Sequence, residues 1–106
     1  MKMFFGYFKR KVDSRKRISF PREWAKKSQE WIIGVKKKER NKLYLFPFSQ
    51  EEISNFKKHK YFVSFKISLD KKGRLYLNQE ILRFFTSLSF VSLKANGENY
   101  IVLEAL

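Results

Sequence analysis

The amino-acid sequence predicts a mainly β chain with short helices (an α+β composition), in which two tandem copies of one small unit form a single pseudo-dimer. Three observations lead there. A short phrase occurs twice: residues 12–20 read VDSRKRISF and residues 69–77 read LDKKGRLYL. Apolar residues leading into the second phrase alternate at the period of a half-buried strand. A unit of four strands and one short helix spans only about 45 residues, too few to bury a stable core alone.

The duplication runs beyond the phrase. At an offset of 57, Val12 meets Leu69, Asp13 meets Asp70, Arg17 meets Arg74 and Ile18 meets Leu75. Phe20 then meets Leu77 and Glu23 meets Glu80. The same offset sets Ile33 against Phe90, Val35 against Ser92, Leu43 against Tyr100, Leu45 against Val102 and Phe46 against Leu103. Few pairs are identities; agreement of character at one offset, over about 35 positions, argues for duplication.

Each copy reads alike. In the first, 1–47, a strand near 4–12 leads to the turn DSRK and a strand at 17–20. Pro21 opens a short helix near 22–28, because its missing N–H costs nothing in a first turn. Strands follow near 31–36 and 42–46. Residues 48–60 link the copies; Ser49 and Glu52 match a capping box, predicting a helix near 50–59. In the second copy, 61–106, Tyr61, Val63, Phe65, Ile67 and Leu69 share one strand face. DKKG makes a turn, since Asp bonds its own backbone and Gly accepts positive φ. Asn78 is placed as a helix N-cap, with Ile81, Leu82 and Phe85 as the apolar face through about residue 86. Strands near 88–94 and 99–104 close the copy, joined by the Asn-Gly turn signal of ANGE.

Composition limits the function. The 106 residues carry 24 Lys and Arg against 10 Asp and Glu, a net charge of +14. Such a domain attracts polyanions over about a Debye length, roughly 10 Å: nucleic acid, an anionic membrane or an acidic protein. Aromatics make up 18%, ample for a folded core. With no cysteine, disulfides, thiolate catalysis and zinc ribbons fall away. His59 has no second histidine beside it, so no common metal cluster is expected. No phosphate-cradling glycine loop and no nucleophile elbow occur. The expectation is no enzymatic activity, no cofactor, no metal and no membrane. The opening MKMFFGYFKRKV is too short in apolar residues for a secretory leader, and no apolar run reaches spanning length.

At this point a resemblance carries weight. MFFGYFKRKVDSRKRISFPREW resembles the N-terminal signature of MraZ proteins, and VSFKISLDKKGRLYLNQEILRFF resembles the second copy of that motif. The wider class is the SpoVT–AbrB superfamily of swapped-hairpin β-barrel DNA binders. The resemblance covers nearly the whole chain and implies two tandem AbrB-like swapped-hairpin half-barrels. It implies a cytoplasmic, nucleoid-associated transcriptional regulator of the division and cell-wall gene cluster. It also implies double-stranded promoter repeats as partner and self-association into a ring-shaped homo-oligomer. The chain departs from the pattern at Lys16, where the family has Gly, and at Asn78, where it has Pro; the linking segment is also short.

By that resemblance the DNA-contacting residues are Arg17 and Arg74. Independently, an Arg beside a tight turn suits guanine O6 and N7, or a phosphate. The alternative for each is an ion pair with its own Asp, which fixes the loop. Arg15 and Lys16 flank one arginine, Lys71 and Lys72 the other, and Lys9 and Lys11 lead into the first loop. These supply sequence-independent phosphate attraction. Residues 9–17 hold six basic groups and one acid. The basic run KKKERNK, 36–42, either extends a DNA footprint or is a solvated hairpin tip. KKHK, 57–60, reads as the polar end of the linking helix.

Two other classes compete. An AbrB-type antitoxin would carry a toxin-wrapping tail, whereas this sequence ends at Leu106 within the last predicted strand. An RNA or single-strand binder would expose aromatics as a stacking platform, whereas most Phe here fall at core phases.

Overall fold

The computed structural model describes residues 3–36, 38–49 and 63–106. The predicted linking helix lies outside these residues. Among them the chain is mainly β, with eight strands and two short helices. In the first copy the order is β1 (Phe5–Lys11), β2 (Arg17–Ser19), α1 (Arg22–Lys27), β3 (Glu30–Val35) and β4 (Lys42–Pro47). In the second it is β5 (Val63–Ser68), β6 (Arg74–Tyr76), α2 (Gln79–Leu82), β7 (Phe90–Asn96) and β8 (Ile101–Ala105).

The copies interleave. One antiparallel sheet of six strands runs β1-β7-β8-β4-β3-β5, and a two-stranded ribbon pairs β2 with β6. The first strand of each copy therefore pairs with the hairpin of the other: β1 with β7, and β5 with β3. The arrangement is two-fold in pattern. Ile18 faces Leu75 at the centre of the ribbon, and Leu43 faces Leu103 where β4 meets β8. Both pairs are buried in one core shared by the two copies.

These registers correct the sequence alignment. The Ile18–Leu75 pairing keeps the offset of 57, but Leu43–Leu103 requires 60. Three additional residues lie between α2 and β7. Because strand side chains alternate with period two, an odd slip exchanges the faces. At the correct offset Ile33 matches Leu93 and Val35 matches Ala95, all buried; at 57 they met Phe90 and Ser92 on the outer face. The second helix is also shorter than expected. It ends at Leu82, and Phe84 and Phe85 continue only as tighter turns, their N–H groups bonding the carbonyls of Ile81 and Leu82. β7 runs on through Asn96, so the Asn-Gly turn begins later, with Gly97 at φ 88°.

Local chemistry explains the rest. The Asn78 side chain accepts the Ile81 N–H at 2.9 Å, capping α2 as predicted. Pro21 sits at the N-cap of α1, and its carbonyl accepts the N–H groups of Trp24 and Ala25. Trp24 turns inward beneath Phe4, Phe8 and Phe20, meeting all three edge to face. On the opposite side of the sheet a small second cluster, Ile32, Tyr44 and Phe46, packs with Phe48, Tyr100 and Val102. At an offset of 60 the counterparts of Ile32 and Tyr44 are Ser92 and Glu104, so the second copy has no matching cluster of its own.

Candidate nucleic-acid interface

The two repeated phrases fold into the same turn. In the first, the Asp13 N–H donates to the Arg17 carbonyl and the Lys16 N–H to the Asp13 carbonyl, each at 3.0 Å. In the second, Asp70 and Arg74 pair identically, with Gly73 in place of Lys16. This is a tight turn followed by one residue in the left-handed region. Gly73 has φ 73° and Lys16 has φ 61°. The turn therefore dictates the backbone whether or not glycine is present, and Lys16 bears the strain.

That strain is measurable. Lys16→Gly is expected to raise stability by about 0.5–1 kcal/mol, the left-handed penalty less the freedom glycine gains in the unfolded chain. Gly73→Ala is expected to lower it by about 1–2 kcal/mol, and by strain alone, since an added Cβ meets only Ala25 at 3.5 Å. Denaturant unfolding of both variants checks the pair of signs.

Each Asp organises its turn and its Arg. Asp13 Oδ1 accepts the N–H groups of Arg15 and Arg17 at 2.9 and 2.8 Å, and Oδ2 accepts Arg17 Nε at 2.8 Å. Asp70 Oδ1 accepts the N–H groups of Lys72 and Arg74 at 2.9 Å, and Oδ2 accepts Arg74 Nε at 2.7 Å. The ion pairs offered as an alternative are therefore formed. They use only Nε; the two terminal nitrogens of each guanidinium have no hydrogen bond among the described residues. Pairing and presentation are compatible: the Asp holds the side of the Arg and leaves its end free.

The carboxyl groups register this. Partial desolvation pushes Asp13 upward, but the Arg17 N–H, the Arg17 guanidinium and the Arg15 N–H outweigh it, leaving the group below its ordinary 3.8. For Asp70 the Arg74 N–H leads, with the Arg74 side chain and the Lys72 N–H, against desolvation, and the group again lies below 3.8. A depressed folded-state pKa means stability that is present above the unfolded value and lost as pH falls through the folded one. The difference in unfolding free energy between the parent and Asp13→Asn/Asp70→Asn should therefore hold near neutrality and shrink below about pH 3.8. A difference that stays constant into acid contradicts the coupling.

The ribbon sets the two arginines together. Arg17 is opposite Tyr76 and Ser19 opposite Arg74, so Arg17 and Arg74 are diagonal neighbours roughly 7–8 Å apart. With Ile18 and Leu75 turned into the core, Arg17, Ser19, Arg74 and Tyr76 share the outward face.

The flanking cations divide. Lys71 and Lys72 line a cavity of about 620 Å³ together with Arg22 and Lys26 of α1, and with Phe20, Ala25, Gln29 and Gly73. The cavity has four cations and no acid. Arg22 and Lys26 escaped the sequence reading because they belong to the other copy. Interleaving brings α1 against the second turn, and the Phe20 N–H bonds the Gly73 carbonyl. Lys11 and Lys16 line a cavity of about 590 Å³ beside the first turn, with Asp13, Ser14, Leu88 and Ser89. Arg15 is exposed next to it. Lys9 is not brought to the ribbon. It points from the outer face of the sheet, whereas Arg10 turns inward, its Nε donating to the Ser19 carbonyl at 3.0 Å.

The basic hairpin tip is tied to its own fold. Glu39 accepts the Tyr44 hydroxyl at 2.6 Å, Lys36 lies over the Tyr44 ring, and Asn41 accepts the Thr86 N–H. Lys38 and Arg40 stay exposed. Among the described residues no group of three potential ligands is placed to hold a metal ion, and no helix is long and apolar enough to cross a membrane. Comparison with protein-family models finds no match, and no curated protein sequence matches the chain.

Proposed function

We propose that the chain is a sequence-selective binder of double-stranded DNA that regulates transcription, with Arg17 and Arg74 as reading residues. The observation that carries this reading is the pair of identical turns on one ribbon. Each arginine is held through Nε by its own aspartate, with its terminal nitrogens unbonded among the described residues. A free guanidinium end suits guanine or phosphate. A two-fold pair of such ends suits a two-fold DNA site. Lys11, Arg15 and Lys16 at one turn, and Lys71, Lys72, Arg22 and Lys26 at the other, add phosphate attraction on a chain of net charge +14.

The same reading takes the interleaved strands as two swapped-hairpin half-barrels of MraZ-like kind. It takes promoter repeats of the division and cell-wall genes as the target, and the nucleoid as the location. Several copies assembled as a ring would convert weak single contacts into tight binding through effective concentration.

Binding of the full chain to the duplex upstream of its own gene, compared with a scrambled duplex of equal length, tests the reading. Preference for the upstream duplex is expected, with log affinity falling against log salt by about 0.9 per phosphate contacted. Equal affinity for both duplexes overturns it.

A further inference from the structure

The face of the sheet turned away from the core carries aromatics that the core does not use. On β1, Phe5, Tyr7, Lys9 and Lys11 all point outward and are exposed. On β7, Phe90 and Lys94 do the same. The register sets Tyr7 beside Lys94 and Lys11 beside Phe90. Phe5 is 60% exposed, Tyr7 55% and Phe90 49%. At an offset of 57 Phe90 is expected to share the core phase of Ile33; the β1–β7 register turns it out instead. Phe5 and Tyr7 are two residues apart, hence roughly 6.8 Å along the strand.

We propose that this β1–β7 face binds single-stranded nucleic acid, with Phe5, Tyr7 and Phe90 stacking on unpaired bases. Three observations select that occupant. The patch alternates rings with lysines, so its ligand must offer flat apolar surfaces and negative charge in the same short repeat. Bases on a phosphate backbone do so. No acid lies on the outward face of either strand; among the described residues the acids at its margin are Glu98, whose carboxylate accepts the Asn96 N–H just after β7, and Glu104, one strand further on between Ser92 and Lys42. A second copy of this chain laid face to face would bring Lys9, Lys11 and Lys94 of both copies together, with only Glu98 and Glu104 at the margin to offset them. Among the described residues β1 is also an edge strand, so a strand of nucleic acid passing over it meets no neighbouring described strand there. The duplex-reading ribbon packs on the core side of the sheet through Ile18 and Leu75; Lys11 borders both surfaces, but Phe5, Tyr7 and Phe90 belong to this face alone, and the proposal stands independently of the ribbon.

The test uses the full chain and a labelled oligothymidine of roughly twelve nucleotides, followed by fluorescence anisotropy. Phe5→Ala/Tyr7→Ala keeps every charge and is expected to weaken binding about tenfold or more per ring removed. Tyr7→Phe keeps the ring and should bind as the parent does. Phe90→Ala, on the neighbouring strand, repeats the measurement if the double variant disturbs β1. Arg17→Ala/Arg74→Ala should weaken oligothymidine binding less than the ring variants do, because it leaves every stacking ring in place. Parent-like oligothymidine affinity in the ring variants overturns the proposal. So does a ring-variant defect confined to self-association, read by light scattering, or to binding of anionic lipid vesicles.

Discussion

Alanine at both Arg17 and Arg74 is expected to weaken binding to the upstream duplex by at least about 30-fold, since each well-seated arginine contributes about 1–3 kcal/mol of discrimination. The fold should survive. The arginine side chains are 23% and 26% exposed and their partner aspartates 37%, so the lost ion pairs are largely screened by water. Each such pair is worth no more than about 1 kcal/mol. The turns keep their frame, because Oδ1 of Asp13 and Asp70 still accepts two backbone N–H groups. Single variants separate the two halves. The turn at Arg74 is backed by Arg22 and Lys26 as well as by Lys71 and Lys72, whereas the turn at Arg17 sits beside Lys11 and Lys16. Arg→Lys at either position should recover little, because an ammonium lacks both the Nε contact to the aspartate and the planar fork. Electrophoretic mobility shift at fixed salt measures the losses. Undiminished binding by the folded double variant removes both arginines from the interface.

Trp31→Ala is expected to cost about 3–5 kcal/mol of folding stability. Trp31 is fully buried, between Phe4 at 5.4 Å and Phe20 at 5.3 Å. Its indole N–H donates to the Ser28 carbonyl at 3.1 Å, so truncation leaves a cavity and an unpaired acceptor together. Its strand, β3, holds β4 of its own copy on one side and β5 of the other copy on the other. The damage therefore reaches both halves. Domains of this size have only about 5–15 kcal/mol in total, and the loss should lower the thermal midpoint by about 15–30 °C. Tyr76→Ala, on the exposed face of the ribbon, should fall within about 0.5 kcal/mol of the parent. Thermal melts followed by circular dichroism compare the two.

Much of this molecule is written locally. Asp13 and Asp70 announce their turns because the carboxylate closes onto N–H groups two and four residues away. Asn78 announces its helix because the cap bond spans three residues. The alternation Phe65, Ile67, Leu69 announces a strand face because the period belongs to the backbone. The repeat itself, and with it the pairing of Arg17 with Arg74 as equivalents, follows from such short-range signals.

Other features were closed to that reading. Lys16 occupies a left-handed position that its side chain does not advertise. Three additional residues before β7 change no local pattern, yet they exchange the faces of two aligned strands, and only the Leu43–Leu103 register exposes them. Arg22 and Lys26 join Lys71 and Lys72 across about 45–50 positions of sequence because the copies are interleaved. Phe90 aligns with Ile33 as a core residue until β1 pairs with β7 and turns it outward. Turns, caps and strand phases depend on bonds within a few residues, and so they could be read from the chain alone. The choice of strand partner, and the company each side chain keeps, depends on burying two incomplete apolar faces in one core, which only the tertiary structure decides.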